Sequence, residues 1–546
     1  MSDSEPGDVP RPWLATYPAE IPSTIKPRHT SVLGYWDELV DSSPDSPIIH
    51  YFDDTLTVAR LDDDVNALAA WLSDVGVAAG DRVAVYLQND PHWLTSMLAC
   101  WRIGAIAVAV NPMLKSRELA KQLADCSPEV VVCLDELLPT VEGAVDEAGL
   151  SPSVLVVASP GAVGGTTEHT RFADVLADRD GARVPRRTPP PDEPAMLTYT
   201  SGTTGASKGA VNTHGNIVHS TVVYERWLDV TADDVILGVA PLFHVTGLVA
   251  HMAIAAVAGA PLVLFHRFEP AEALRLIERW RVTFTMGSIT VFVALMSHPN
   301  FDETDLSSLR CVASGGAPIS PAIVQRFEDA TGAYILSVYG LTETTSPSHL
   351  TPPGLRAPID PGTGALSVGL PVSDADVWVV DPQTREPMPI GEPGEIVIAG
   401  PMIVPEYWGK PAETQHAIPA GRLHTGDIGF MNSEGWFWLI DRSKDQINAA
   451  GYKVWPREVE DVLYEHEAVR EAAVVGMADG YRGETVVAFV SLRPGMSADP
   501  EELVDHCRQR LAAYKYPRRI DILEELPKTA SGKIMRRVLR DGGDVS

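Results

Sequence analysis

Short apolar segments alternate with amphipathic stretches in the N-terminal part of the chain, and this alternation restricts the fold more than any other feature. Asp81–Leu87, Ile106–Val110 and Val130–Leu134 have the length and apolar content of buried strands. Between them, His92–Ile103 and Arg117–Asp125 have the character of helices. Buried strands separated by helices are typical of parallel sheets covered by helices. The sequence therefore predicts an α/β fold.

Length, charge and cysteine usage set the broad class. At 546 residues the chain is too long for one core, so two or more domains are expected. A formal net charge of −30 argues against nucleic acid as a partner, because binding phosphates needs positive charge. The five cysteines are scattered and never form C-x-x-C, which predicts a reducing, cytoplasmic compartment without zinc or disulfides.

The sequence gives no sign of a segment that enters a membrane. The start, MSDSEPGDVPRP, is acidic and proline-rich, unlike a signal peptide. The longest apolar stretch, 246–265, contains His251, Gly259 and Pro261, so it is interpreted as a buried helix followed by a core strand. No transmembrane segment is expected, whereas peripheral membrane contact stays open, as does the choice between monomer and homodimer.

A loop rich in small residues follows the apolar run Ala195–Leu197 and reads YTSGTTGASKG over 199–209. Glycines let backbone N–H groups approach an anion, hydroxyl groups donate hydrogen bonds, and a lysine adds positive charge. The spacing fits neither a Walker A loop nor the glycine-rich loop of kinases. The pattern predicts a phosphate-binding loop, with a flexible polar turn as the alternative. Its candidate ligands are Thr200, Ser201, Gly202, Thr203, Thr204, Gly205 and Lys208.

Three more short motifs lie where predicted strands end. The first, PLFHVTG, contains His244, which at such a place is often only a packing residue. The second is a tight turn formed by Gly315, Gly316, Ala317 and Pro318. The third, YGLTETT, combines an aromatic ring, hydroxyls and a carboxylate that suit a nucleotide and Mg²⁺, although a capped helix start would use the same hydroxyls. Its candidates are Tyr339, Gly340, Thr342, Glu343 and Thr344.

The C-terminal part contains three further candidates for a site. His424-Thr425-Gly426-Asp427 is interpreted as a turn between short antiparallel strands. The charged stretch 441–454 contains Arg442, Lys444 and Gly451, and taken alone it is a solvated loop. Lys533 lies in the small-residue sequence PKTASGKI, where an isolated lysine serves solubility.

Together these motifs, in this order from Tyr199 to Lys533, resemble the adenylate-forming superfamily. This superfamily includes acyl-CoA synthetases, aryl-CoA ligases, the adenylation domains of peptide synthetases and beetle luciferases. The resemblance covers essentially the whole chain. It implies a large N-terminal domain, residues 1–443, with parallel α/β layers and a distorted β-barrel, followed by a small mobile α+β lid, residues 444–546.

The resemblance also implies roles for the motifs in a reaction that uses ATP, Mg²⁺ and coenzyme A. The 199–209 loop would hold pyrophosphate, His244 would approach the acid, and the 315–318 turn would lie against adenine. In the third motif Tyr339 would stack on the base, the hydroxyls would reach phosphate, and Glu343 would hold Mg²⁺. Asp427 would bind the ribose, Arg442 the nucleotide, and Lys533 the carboxylate and α-phosphate, with Lys444 as the pivot and Gly451 lining the pantetheine tunnel. Many relatives have lysine where Asn448 stands, so Asn448 is assigned no role.

The acid is predicted from weaker signals. The opening RPWLATYP resembles that of bacterial fatty acyl-CoA synthetases, and glycines at 247, 315 and 340 are interpreted as leaving room for a long or broad acyl group. These signals favour a medium- or long-chain fatty acid, with an aryl or arylalkanoic acid as the alternative. PLFHVTG lacks the aspartate of amino-acid-activating domains. A carrier-protein acceptor, luciferase-like oxidation and a non-catalytic nucleotide sensor are the remaining readings. The first is disfavoured because Tyr514–Pro517 resembles CoA-using ligases, and the last because the motifs are complete.

Overall fold

The computed structural model describes residues 10–161, 167–200, 207–317, 319–442, 447–449, 452–479, 483–529 and 532–540. The candidates Ser201–Gly205, Pro318, Lys444 and Gly451 lie outside these ranges, as does the predicted domain boundary at 443/444. Arg442 and Asn448 are described only as members of strands.

A seven-stranded sheet contains the alternating segments of the N-terminal part. Its strands are parallel except for the last pair, which forms an antiparallel hairpin around the phosphate-loop sequence. In spatial order they are Thr170–Arg171, Ser153–Val157, Val130–Leu134, Arg82–Tyr86, Ile106–Ala109, Pro194–Tyr199 and Gly209–Thr213. The α/β prediction is confirmed, and the strand Val130–Leu134 and helix His92–Ile103 have the predicted bounds.

A nine-stranded sheet forms the second α/β layer and has parallel strands in its centre with antiparallel strands at both edges. In spatial order its strands are Leu370–Pro371, Ser346–Leu350, Ile335–Leu341, Cys311–Gly315, Phe284–Gly287, Ile236–Leu237, Leu262–Leu264, Pro47–Tyr51 and Asp54–Thr57. Because its central strands run in parallel, their carboxyl ends lie at the same edge of the sheet.

Helices cover these sheets. A large apolar core has members from Trp13 to Trp438, and a second, smaller core has members from Ala84 to Val211. The α-helices of this part are Val32–Ser42, Val58–Asp74, His92–Ile103, Ser116–Cys126, Leu138–Ala148, Phe172–Asp178, His214–Leu228, Val245–Gly247, Ile254–Ala258, Pro270–Trp280, Ile289–Met296, Pro321–Thr331 and Pro411–Ala417. A π-helical segment, Leu248–Ala253, joins two of them, so a buried helix precedes the strand Leu262–Leu264, as predicted. No helix within the described ranges is both long and apolar enough to cross a membrane.

Four antiparallel strands follow the two α/β layers: Asp376–Val380, Gly394–Ala399, Leu423–Met431 and Phe437–Arg442. The predicted turn at 424–427 is wrong, because these residues belong to the strand Leu423–Met431. Gly426 has φ of +70°, a conformation that glycine adopts without strain, and it turns the backbone inside the strand.

The C-terminal residues form a small α+β domain with its own cores. Its sheet contains Tyr452–Val454, Ile447–Ala449, Gly483–Leu492 and Val469–Asp479, and Arg519–Ile522 pairs with Gly483–Leu492. Its helices are Pro456–Tyr464, Pro500–Arg508 and Arg536–Arg540. Proline at the first position of the first two helices needs no N–H partner there, which explains where they begin.

Candidate active site

The predicted site residues follow the carboxyl ends of the central strands of the nine-stranded sheet. His244 follows Ile236–Leu237, Gly316 follows Cys311–Gly315, and Glu343 follows Ile335–Leu341. Strand carboxyl ends are where α/β sheets place ligands, since the loops there are free to vary. The fold therefore brings together three motifs that are far apart in the sequence.

The base of the phosphate loop is held by hydrogen bonds between its two strands. The Thr200 N–H donates to the Lys208 carbonyl at 2.9 Å, and the Ser207 hydroxyl donates to the Thr200 carbonyl. The Tyr199 hydroxyl donates to Asp125 at 2.8 Å, and Lys410 Nζ donates to the other oxygen of the same carboxylate at 2.6 Å. The two ends of the loop are thereby fixed relative to each other.

Tyr407 connects Lys208 with Glu343, and the motifs had given no indication of it. The Lys208 ammonium lies 4.7 Å from the centre of the Tyr407 ring, within the range of a cation–π interaction. The Tyr407 hydroxyl donates to Glu343 Oε1 at 2.6 Å, and its burial beside this carboxylate raises the pKa of the phenol. The phosphate loop and the carboxylate motif thus share one buried aromatic side chain.

Thr342–Thr344 form one turn of 3₁₀-helix directly after their strand, and Leu341, not Thr342 or Thr344, is its N-cap residue. The Thr344 hydroxyl accepts from the Leu341 N–H at 2.8 Å and is buried, whereas Thr342 and Glu343 are half-buried. The Glu343 carbonyl accepts from the Val404 N–H at 3.0 Å. The turn therefore holds the Glu343 backbone on both sides while its side chain reaches Tyr407.

Tyr339 and Asp427 meet although 88 residues separate them. The Tyr339 hydroxyl donates to Asp427 Oδ2 at 2.7 Å, and both residues are buried. Asp427 is also directly opposite Arg442 in the antiparallel pairing of their strands. The strand that contains Asp427 therefore positions this carboxylate next to Tyr339 of the YGLTETT motif.

Lys533 of the small domain lies close enough to His244 for its charge to act on the imidazole. The His244 Nδ1 accepts from the Thr246 N–H at 3.2 Å, which fixes the ring at the start of its helix. Burial and, secondarily, the nearby Lys533 charge lower the pKa of His244 to about 4. A neutral imidazole adds no second positive charge near this lysine.

The glycines of the candidate acyl pocket have a different function from the predicted one. A Cβ at Gly247 would lie 2.2 Å from the Pro241 carbonyl oxygen, and one at Gly340 would lie 1.7 Å from that of Ser346. At Gly315 it would lie 2.8 Å from the Val338 carbonyl oxygen. All three glycines are therefore required because backbones pass close to each other, and the room for an acyl chain has to come from other residues. By contrast, a Cβ at Gly316 would meet nothing within 4 Å, so the backbone there is open to a flat ligand.

A Mg²⁺ ion fits the one carboxylate of the YGLTETT motif, that of Glu343. Among the described residues no group of three or more His, Cys, Asp or Glu side chains could enclose a metal ion. Mg²⁺ does not need such a group, since it keeps several waters and takes one or two carboxylates together with substrate phosphates. Glu343, held through Oε1 by Tyr407, suits this mode of binding.

Comparison with known proteins agrees with this arrangement. The family model for AMP-binding enzymes matches residues 36–408, and that for the AMP-binding enzyme C-terminal domain matches residues 458–533. The chain is 36% identical to a long-chain-fatty-acid–CoA ligase of Bacillus subtilis over 97% of each chain. It is 34% identical to a feruloyl-CoA synthase of an Amycolatopsis species, over 93% of this chain and 98% of the other.

Among solved structures, that of an anthranilate CoA ligase in complex with anthranoyl-AMP superposes with a TM-score of 0.87 at 27% identity. The match covers 96% of this chain and 99% of that one. Both domains of the chain are included in these matches, and the motifs that meet at the sheet edge lie within them. The chain therefore belongs to the AMP-binding enzyme family, within the adenylate-forming superfamily.

Proposed function

We propose that this protein is an ATP-dependent, AMP-forming acid–CoA ligase. It would convert a carboxylic acid, ATP and coenzyme A into an acyl-CoA, AMP and pyrophosphate. The observation that carries the proposal is the contact between the loop of Lys533 and the large domain, where the Gly532 carbonyl accepts from the Thr290 hydroxyl at 3.1 Å just beyond the strand Phe284–Gly287. A lysine at this edge of the sheet would bring positive charge to the residues proposed to bind the acid and the nucleotide.

The first step needs that charge because its reactants repel each other. A carboxylate oxygen attacks the α-phosphate of ATP, the bond to the β-phosphate breaks, and an acyl-adenylate and pyrophosphate result. Three anionic groups approach one centre, so preorganised cations and hydrogen-bond donors provide most of the rate enhancement. Lys533 would bridge the carboxylate and the α-phosphate, and the neutral His244 would adjoin the acid without adding a competing charge.

The nucleotide would be held by the remaining motifs. Asp427, kept in place by Tyr339, would accept hydrogen bonds from the ribose hydroxyls, and the open backbone at Gly316 would lie against adenine. Lys208 and the hydroxyls of the phosphate loop would hold pyrophosphate. Glu343 would hold Mg²⁺, which would offset phosphate charge.

In the second step the thiol of coenzyme A attacks the acyl carbonyl carbon and AMP leaves. Lys533 would occupy space that the thiol needs. We therefore propose that the small domain, residues 444–546, rotates about Lys444 as in the family, with Gly451 then lining the pantetheine tunnel. The family models, which end at 408 and begin again at 458, support a boundary at about this place.

We propose a medium- or long-chain fatty acid as the substrate. The Bacillus subtilis relative, similar over nearly its whole length, supports this choice. An aryl or arylalkanoic acid is the second candidate, favoured by the similarity to the feruloyl-CoA synthase and the anthranilate CoA ligase. A cytoplasmic location stays a prediction, supported by the five cysteines, which are all buried and free.

Pyrophosphate release with ATP and Mg²⁺ tests the proposal across acids from acetate through palmitate to benzoate and cinnamate, with and without coenzyme A. We expect release with fatty acids and formation of the corresponding acyl-CoA. Activity with aryl acids alone would move the protein to the second candidate. ATP binding without turnover of any acid would overturn the proposed reaction and favour a nucleotide sensor.

A further inference from the structure

The loop that carries Lys533 contacts the large domain through a threonine for which neither the motifs nor the family resemblance gave a role. The Thr290 hydroxyl, at the start of the helix Ile289–Met296, donates to the Gly532 carbonyl at 3.1 Å. These residues are 242 positions apart and belong to different domains. Thr290 therefore faces the lysine loop.

A second hydroxyl orients the first. Ser288 Oγ lies 2.7 Å from Thr290 Oγ1. Because the Thr290 hydrogen is used on the Gly532 carbonyl, Ser288 is the donor in this pair. The result is a short chain of hydrogen bonds from Ser288 through Thr290 to the peptide that precedes Lys533.

The lysine loop is shaped to accept this contact. The Lys533 N–H donates to the Thr529 hydroxyl at 3.1 Å, and the Gly532 N–H donates to the Thr529 carbonyl at 2.9 Å. The peptide unit between Gly532 and Lys533 is thus held on one side by its own loop and on the other by the large domain. Gly532 has φ of +79°, and a Cβ there would lie 2.6 Å from the hydroxyl oxygens of both Ser288 and Thr290. Only glycine allows so close an approach.

We infer that Ser288 and Thr290 form a docking site for the lysine loop, and that Thr290 is a positioning residue for adenylate formation alone. The inference rests on the proposed function. The contact exists only while the lysine loop lies against the large domain, so it stabilises the domain orientation of the first step. Once the small domain rotates to admit the thiol, the contact is broken and contributes nothing to the second step.

The experiment compares the two half-reactions in the variants Thr290→Val and Thr290→Ser. Valine keeps the shape and removes the hydroxyl, whereas serine keeps the hydroxyl. Pyrophosphate release without coenzyme A reports the first step, and acyl-CoA formation from synthetic palmitoyl-adenylate reports the second. Since one hydrogen bond is lost, Thr290→Val should slow the first step by about threefold to tenfold and leave the second within about twofold. Thr290→Ser should restore the first step.

Two further variants make the result specific. Ser288→Ala should slow only the first step, and by less than Thr290→Val. Thr304→Val removes a half-buried hydroxyl that donates to the Asn300 carbonyl at 2.8 Å within its own loop, and it should change neither half-reaction.

Equal losses in both half-reactions, or an unchanged first step in Thr290→Val, would overturn the inference. If the wild-type protein releases no pyrophosphate with any acid, the proposed function fails. If it does so and Thr290→Val matches it, only the docking site fails.

Discussion

The Tyr407 hydroxyl lies 2.6 Å from Glu343 Oε1, and the Lys208 ammonium lies over the ring of the same tyrosine, 4.7 Å from the ring centre. One side chain thereby adjoins both the proposed Mg²⁺ ligand and the proposed pyrophosphate ligand. Its two contacts use different parts of the residue, so they can be removed separately.

Tyr407→Phe should weaken the response to Mg²⁺ and leave the affinity for ATP at saturating Mg²⁺ nearly unchanged. The substitution removes the hydrogen bond that orients Glu343 and keeps the ring beneath Lys208. Pyrophosphate release titrated with Mg²⁺ should show a half-saturating concentration raised by about twofold to tenfold, the effect of one lost hydrogen bond. Tyr407→Leu should also raise KM for ATP. Tyr334→Phe is the control. The Tyr334 hydroxyl accepts from the Ala357 N–H, and the Arg356 guanidinium lies over the Tyr334 ring. A matching shift in this variant would contradict the role of Tyr407.

Tyr339→Phe should raise KM for ATP with little change in KM for the acid. Without the hydroxyl, Asp427 loses the hydrogen bond that orients its carboxylate, the proposed ribose ligand. Asp427→Asn removes the charge itself and should act in the same direction by about 10- to 100-fold, as expected for a charge-assisted hydrogen bond. Steady-state kinetics with each substrate varied in turn measure both effects. A change confined to the acid would remove the pair from the nucleotide site.

Lys533→Ala should nearly abolish adenylate formation and leave thioester formation from synthetic acyl-adenylate largely intact. A single preorganised charge contact in a transition state contributes about 3–4 kcal/mol. Pyrophosphate release and acyl-CoA formation measure the two steps, with Lys26→Ala, at an exposed position, as the control. Equal loss in both steps would contradict a mechanism in which the small domain presents different faces.

Acid should destabilise the protein at a pH above the range in which exposed carboxylates titrate. Burial lowers the pKa of His50, His214, His244 and His251 to about 4 and that of His349 to about 3. Below pH ~6.5 the unfolded chain binds protons that the folded chain does not. The free energy of unfolding is therefore largest above that pH and falls towards pH ~4, by up to about 1.4 kcal/mol per pH unit for each fully buried histidine. Urea midpoints between pH 7.5 and 4.5 should fall accordingly. The urea midpoint should fall less steeply with pH in His349→Met. It should fall as in the wild type in His416→Gln, because that histidine is exposed.

Asp461 should produce the opposite dependence on pH in the small domain. Burial raises the pKa of Asp461 to about 7, although Arg457 lies 3.6 Å away. The folded state therefore keeps a proton that the unfolded state has lost, and stability falls as the pH rises from about 4 to about 7. Asp461→Asn should melt at a higher temperature than the wild type at pH 8 and at the same temperature near pH 4. Asp302→Asn, exposed, should show no such difference; a constant offset at every pH would contradict the assignment to Asp461.

The sequence predicted the α/β layers well because buried parallel strands and their helices have a regular apolar pattern. The family resemblance of short motifs also singled out Lys533, Glu343 and Asp427, whose roles stay predictions. It did not identify Tyr407 or Thr290, since each acts through a contact between distant segments and lies in no recognised motif. The 424–427 segment was predicted as a turn because small and polar residues are typical of turns, yet Gly426 accommodates the bend within a continuous strand.

The close backbone contacts at Gly247, Gly315 and Gly340 have a consequence for how this enzyme can acquire a new acid preference. Any side chain at these positions would collide with a carbonyl oxygen that belongs to the scaffold, so variants there are removed by misfolding before selectivity is tested. A changed acid preference therefore has to come from side chains at other positions, whether it arises in evolution or in a laboratory library.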